Sequence, residues 1–544
     1  MAEPVKVEES GTEQQGRERP PGGSPRGRLL FAAAMLLATA LFFALSLAQS
    51  LTYPWNSDTA SVALQGWDLV HGHLLLHGWW SSDVNFYTFD APIYGLCALV
   101  LGLSGTAMHV AGAFIYTLVF LAGCWLAKGD SRGAAYWLRV ALLALFLGVV
   151  LFNGGLLKTL MVVPDHNGTV VFVFVAYALY SRYADRRWTP WVLCALLTLG
   201  QLGDVSIRYV VVPTILFVWA VDLLRTRRLR APETWLVLAT IVSVLLSSML
   251  RAVMTRMGAY YLTPAHTSIA PFSQWGWHFT GTWLSLYGLY GGVIHGFPGT
   301  TAYRAEITIA GIFALLCGLL SLLRVLVRWT KTDAADRLLV VTILVYLAAY
   351  EFSTVGKPGG GGGYEFVGVI AMFAVLSART ISELRPLSRP VPRAAVTGVA
   401  AIGAVASLLS GTALFQPTVS NPVLPLAAWL EAHNLTYGLA GYWNASPITV
   451  ESGGKVAVRP VSLGNDGFVA EAWGADKHWY DASTHDARFV IAEQAAVGAM
   501  TQAQVVDALG EPAKIYQVDG FSILVYSYNL LTKGDIPAAV PSGN

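Results

Sequence analysis

Charge is scarce in this chain: of 544 residues only 12% are Asp, Glu, Lys or Arg, while 55% are hydrophobic. So little charge leaves more apolar surface than a water-soluble fold of this length can hide, and the chain reads as an integral membrane protein. Cysteine is scarcer still. Cys97, Cys124, Cys194 and Cys317 all sit in or beside apolar runs, so no disulfide framework is implied. No repeat of roughly 20 to 50 residues recurs, which excludes a solenoid. A nucleotide-triphosphate loop is excluded too, because Lys357-Pro358 and the five glycines after them lack the following Lys-Ser/Thr. The net charge of +2 hides a split, with six Lys/Arg against twelve Asp/Glu beyond residue 415. That acidic C-terminal part argues against a nucleic-acid partner.

Residues 1–28 carry five acids and five bases among Glu, Gln, Gly and Pro, and are expected to be a disordered cytoplasmic tail. An apolar run at 29–48, flanked by Arg26 and Arg28, is long for a signal-peptide core and long enough to cross a bilayer uncleaved. Later runs lie near 106–127, 138–155, 168–181, 189–202, 208–224, 233–253, 305–327, 337–352, 365–380 and 394–415. Basic loops at 128–139, 182–187, 225–230, 324–337 and 379–393 follow every second run, as the positive-inside rule requires. The fold class that follows is an α-helical polytopic protein of the plasma membrane, with about 11 transmembrane helices and a cytoplasmic N-terminus. The membrane domain covers 29–415 with a first outer loop at 51–105, and 416–544 forms an extracytoplasmic α/β domain. That domain shows a helix between Thr501 and Gly510 and a hairpin turn at Asp519-Gly520. The apolar piece at 92–103 is too short to cross and is expected to be an interfacial helix.

The polar chemistry collects on the outer face, with no chain of ionisable groups through the middle, which favours a surface active site over a transport path. Residues 56–94 are densest, with Asp58, Asp68, Asp83 and Asp90, three histidines and several aromatics. Asp58 lies ten residues past the first span, where a partly dry carboxylate could take a proton from a hydroxyl nucleophile. It reads equally well as a helix N-cap. Asp68, His71, His73 and His77 have helical spacing suited to zinc, but Gly72 interrupts it, and the polar side of a surface helix is the preferred reading. Asp83 is placed for substrate contact, beside Trp79, Trp80, Phe86 and Tyr87, which could stack on a sugar ring or isoprenoid or simply anchor at the interface. Asp165-His166 offers a second acid, and with Asp58 a place for a divalent cation, Mg or Mn. Arg208 and Arg304 are candidate phosphate clamps or snorkelling cations. Lys357 and Glu365 flank the glycine run, as substrate contacts on a mobile gate or as parts of a linker.

Four features together suggest a family: Asp58 early in a long first outer loop; the element DAPIYGLCALVLGL; the stretch LFNGGLLKTLMVVPDHNGTVVFVFVAYALYSRY with its Asp165; and an outer C-terminal domain. The layout resembles the GT-C superfamily of membrane glycosyltransferases, which includes oligosaccharyltransferase catalytic subunits, protein O-mannosyltransferases and aminoarabinose transferases. The stretch YGLAGYWNASPITVESGGKVAVRP is similar to a C-terminal signature of an actinobacterial group. The resemblance implies a polyprenyl-phosphate sugar donor and inverting transfer to a glycan, lipid or protein acceptor on the outer face. It makes Asp58 the base or acceptor-orienting residue and Asp165 the second acid. Two departures stand out: Asp165-His166 replaces the paired acids of oligosaccharyltransferases, and no WWDYG-like acceptor motif is present, which argues against transfer to protein sequons. A lipid-linked substrate transporter and a non-catalytic envelope scaffold are the alternative readings.

Overall fold

The computed structural model describes residues 25–532 except 83, 153–162, 165, 264–266, 292–304, 356–365, 384–400, 402, 404, 406–416, 465–466 and 494–499. Asp83, Asp165, Arg304, Lys357 and Glu365 therefore lie outside the described residues, as does most of the apolar run at 394–415. The chain divides into two compact units, Met1–Leu41 and Phe42–Asn544. The described part of the first is the leading stretch of α1 (Pro25–Ser50), which starts four residues earlier than the apolar run because Pro25 suits a helix's first turn.

The second unit is mostly helical. After α1 come α2 (Ser57–Val70), β1 (Trp79–Ser82), α3 (Asp90–Leu101), α4 (Gly105–Lys128), α5 (Ala134–Phe152), α6 (Asn167–Tyr183), α7 (Thr189–Gly203), α8 (Ser206–Thr226) and α9 (Ala231–Arg256). Then follow β2 (Tyr261–Thr263), α10 (Phe272–Leu289), α11 (Ala305–Val327), α12 (Ala334–Phe352) and α13 (Val367–Ser382). Among the described residues, α1, α4, α8, α9 and α11 are long and apolar enough to cross a membrane, and several shorter apolar helices accompany them. The chain is a membrane protein. α4 is the most enclosed of those five, with 72% of its apolar window buried against 33% for α9. It packs on α3, α5, α6 and α13. Short side chains allow this: Gly123 faces Leu143, Val375 and Phe174, where a Cβ would already sit 3.0 Å from a leucine methyl. α10 is an unexpected helix, since residues 255–304 show no apolar run long enough to suggest one; its apolar content is mostly Phe, Trp and Tyr.

α3 is the helix expected at 92–103, starting two residues earlier at Asp90. It crosses α2 where Gly66 meets Gly95. A Cβ on Gly66 would lie 2.1 Å from the Ala91 carbonyl oxygen and 2.7 Å from the Gly95 nitrogen, so only glycine lets the two backbones touch. The loop between α2 and α3 is held by β1, which pairs in parallel with β2 and antiparallel with β6 (Ala475–Asp476) of the C-terminal region. Around it Trp55, Leu76, Trp79, Tyr94 and Met108 form one core with Val450.

The C-terminal region is α/β. A six-stranded sheet runs in the order β5 (Gly467–Ala470), β4 (Ala457–Gly464), β3 (Tyr437–Ala440), β7 (Phe489–Glu493), β9 (Phe521–Val525), β8 (Lys514–Val518). Its central strands are covered on both faces. Phe489, Ile491 and Ile523 pack with α14 (Leu424–Ala432) and α15 (Tyr442–Glu451), while Val490, Ala492 and Leu524 pack with α16 (Gln502–Leu509). The local signals form as expected: Thr501 caps α16 in a full capping box with Gln504. Asp519 (φ 46°) and Gly520 (φ 85°) make the tight turn between β8 and β9.

Candidate functional site

The acids around α2 and α3 fall into two groups. The first is Asp58. The N-cap of α2 is Asn56, whose Oδ1 accepts from the Asp58 nitrogen (3.1 Å) and the Thr59 nitrogen (3.2 Å), so Asp58 itself is free of the capping role. The Asp58 carboxylate accepts instead from the Asn56 amide at Oδ2 (3.0 Å) and from the Tyr442 hydroxyl at Oδ1 (2.6 Å). Ser57 Oγ donates to the Tyr442 carbonyl, pinning the start of α2 to the start of α15. Asp58 is half-buried. Burial raises its pKa, and the hydrogen bonds from Tyr442 and Asn56 only partly offset this. Tyr442 is raised as well, by burial and then by the Asp58 charge, so its phenol stays a donor. Glu471, also raised by burial, is close enough for its charge to act on Tyr442. A carboxylate with neutral donors and raised basicity is suited to proton abstraction.

The second group lies at the other end of α2. Gly66 abuts Ala91, next to Asp90, and is eight residues past Asp58, about 12 Å along the helix. Residues after β1 close on the end of α7: the Asn85 and Phe86 nitrogens both donate to the Gly203 carbonyl (3.0 and 2.9 Å). This brings Asp90 beside Asp204, both almost fully buried. Asp204 Oδ2 accepts from His166 Nδ1 (2.6 Å) and from the Thr169 hydroxyl, and Oδ1 from the Ser206 nitrogen (2.9 Å). Burial pulls the Asp204 pKa up, but the charge of His166 and these hydrogen bonds hold it down to about 2. Asp90 has the reverse balance: burial and then the Asp204 charge push it up to about 7. No group donates to its Oδ1 among the described residues. His166 has a left-handed backbone (φ 55°) that opens α6, and its ring is fixed by Asp204.

Arg208, in the first turn of α8, is half-buried and held by neutral groups. Its Nε donates to Gln201 Oε1 (3.3 Å) and its Nη2 to Ser247 (3.0 Å) and Ser248 (2.8 Å). A guanidinium oriented by hydroxyls, with no carboxylate on it among the described residues, keeps its charge for an anion.

Other expectations are corrected. α2 ends at Val70 and Gly72 turns the chain with φ 94°, so the histidines lie in a turn rather than on a helix. His71 Nδ1 meets the Trp67 carbonyl (2.7 Å) and His77 Nδ1 the Gly258 carbonyl (2.6 Å), which spends those nitrogens as donors rather than metal ligands. Trp79 and Trp80 are 1% and 9% exposed, and neither is a surface anchor or sugar platform. Trp79 Nε1 donates to Asp68 (2.8 Å) and its ring meets Trp479 edge-on at 5.0 Å. Asp165, the acid expected to face Asp58, lies outside the described residues. No set of three or more His, Cys, Asp or Glu is assembled for a metal among the described residues. Asp90, Asp204, Tyr442 and Glu471 were missed as site residues. Asp204 follows an apolar run in the stretch GDVSIR, and that position was its only signal.

No family model and no curated protein sequence matches the chain. Its structure is similar to that of ArnT from Cupriavidus metallidurans bound to undecaprenyl phosphate, with a TM-score of 0.55 and 13% identity over 92% of this chain and 98% of that one. The chain shares the overall fold of that ArnT. A weaker likeness is to the apo Archaeoglobus fulgidus oligosaccharyltransferase, with a TM-score of 0.45 and 11% identity over 84% of this chain and 69% of that one.

Proposed function

We propose that the protein is a glycosyltransferase that moves a sugar from a polyprenyl-phosphate donor to a hydroxyl of an envelope glycan, lipid or protein, on the outer face of the membrane. The observation that carries this reading is Asp58: a half-buried carboxylate with raised pKa, aimed by Asn56 and Tyr442 rather than spent as a cap. The ArnT-like fold supports it, and the crystal structure of that neighbour contains a polyprenyl phosphate.

In this mechanism Asp58 takes the proton from the acceptor hydroxyl as its oxygen attacks the anomeric carbon from the face opposite the lipid phosphate, so the sugar inverts. The bond to the phosphate oxygen breaks with its electron pair, and Arg208 stabilises the departing phosphate charge. Tyr442 holds Asp58 in position across the junction between the first outer loop and the C-terminal domain, here proposed as 416–544. Asp204 and His166 set the turn that opens α6, and Asp165 is proposed as the second acid. The N-terminus is taken as cytoplasmic, with the membrane domain at 29–415. A strain lacking the protein should accumulate one polyprenyl-phosphate sugar in its lipid extract, and Asp58→Asn should fail to clear it. An unchanged lipid profile in the deletion strain would overturn the reading.

A further inference from the structure

α4 starts beside Asp58's neighbours, with Gly105 facing Glu451 and Trp55, and runs 24 residues, about 35 Å, to Lys128. At that far end, where α11 and α13 finish and α5 and α12 begin, the protein forms a half-open cavity of about 390 Å³. Its inner wall is an ion-pair frame built on two buried guanidinium groups, with Asp336 buried and Asp333 and Glu383 half exposed. Arg379, 1% exposed, binds Asp333 and, through Nε, Asp336 (2.6 Å), and donates to the Leu126 carbonyl (3.0 Å). Arg139, 6% exposed, binds Glu383 (2.8 Å) and donates to Ser382 (2.9 Å) and the Ala127 carbonyl (2.8 Å). The carboxylates of Asp333, Asp336 and Glu383 are thereby committed to two guanidinium groups that are themselves fixed.

Three more cations line the same cavity: Arg324, Arg328 and Lys331. Arg324 lies in the last turn of α11, Arg328 sits just past its end with its nitrogen donating to the Arg324 carbonyl (3.0 Å), and Lys331 follows three residues later. Arg324 donates to the Thr380 carbonyl (3.3 Å), and none of the three pairs with a carboxylate among the described residues. Like charges gathered at one cavity repel, and an anion placed among them relieves that cost while accepting several charge-assisted hydrogen bonds. We infer that this cavity is a phosphate-binding site, clamped by Arg324, Arg328 and Lys331 and separate from the Asp58 site. The phosphate is that of a lipid headgroup or of a soluble phosphate compound. The cavity's size suits a headgroup. Asp130, exposed at the rim, is the lining carboxylate outside the frame and opposes the bound charge.

The test uses the full-length protein in detergent, titrated in parallel with inorganic phosphate, with phosphatidylglycerol and with phosphatidylcholine, and followed by native mass spectrometry and thermal shift. Arg324→Gln/Arg328→Gln/Lys331→Gln should bind about tenfold or more weakly. Arg324→Lys/Arg328→Lys, which keeps the charge, should retain most of the affinity, and Asp130→Asn should gain some. Binding of phosphatidylglycerol alone identifies a lipid headgroup. Binding of inorganic phosphate as well identifies a site for phosphate from either source. Binding of neither to wild type, or equal binding by wild type and the triple Gln variant, would overturn the proposal.

Discussion

Asp58 and Asp204 carry the same side chain at two places around α2 and α3, yet their surroundings push them in opposite directions. Asp204 is the more deeply buried, but it accepts from His166, Thr169 and the Ser206 nitrogen and stays ionised, with a pKa of about 2. Asp58 is only half-buried and receives two neutral donors, so burial wins and its pKa rises. Partners decide the outcome more than depth does. The carboxylate with a charged, saturated shell fits a structural role, and the one with neutral donors and spare lone pairs fits a chemical role.

Variants that exchange these roles would break the contrast. The largest stability effect is expected at Asp204: Asp204→Ala leaves His166 and Thr169 without their acceptor, and should cost about 3–5 kcal/mol, read as a large fall in Tm in detergent. The pH dependence of Tm comes next. Asp90, with a pKa of about 7 against an ordinary 3.8, keeps a proton in the folded state that the unfolded chain releases, so its contribution makes stability fall as pH rises from about 4 to about 7. Asp204, at about 2, contributes stability above pH 4 that is lost as pH falls from about 4 to about 2. Asp90→Asn should therefore flatten the profile between pH 4 and 7 and raise Tm at pH 8; an unchanged slope there would show that Asp90 is not the titrating group. Gly66→Ala forces α2 away from α3 between the two acids and should cost about 1–3 kcal/mol, with a thermal shift to match. Tyr442→Phe has the smallest expected effect, about 0.5–1.5 kcal/mol. Because it removes one of the bonds that lower the Asp58 pKa, the low-pH rise of the transfer rate, which follows deprotonation of Asp58, should move to higher pH.

What could be read from the sequence was local. The apolar runs at 29–48, 106–127, 208–224, 233–253 and 305–327, the Thr501 cap and the Asp519-Gly520 turn each draw their signal from nearby residues, and each forms as expected. Asp58 was legible as a polar group just past an apolar run. Its settling partner was not, because Tyr442 lies 384 positions away and is brought in by the packing of α15 on α2. Trp79 and Trp80 look like interfacial aromatics until β2 and β6 pair on either side of β1 and bury them, and neither pairing leaves a local trace. Asp90 and Asp204 had the same handicap: each follows or begins an apolar helix unremarkably, and only the closing of the Asn85–Phe86 segment on Gly203 makes them neighbours.

The central claim is that Asp58 is the reacting base. Its most direct test is the rate of sugar transfer from a purified polyprenyl-phosphate donor by Asp58→Asn, measured on protein whose Tm matches wild type. A loss of about 10²–10⁴-fold is predicted. Transfer at the wild-type rate would contradict the claim.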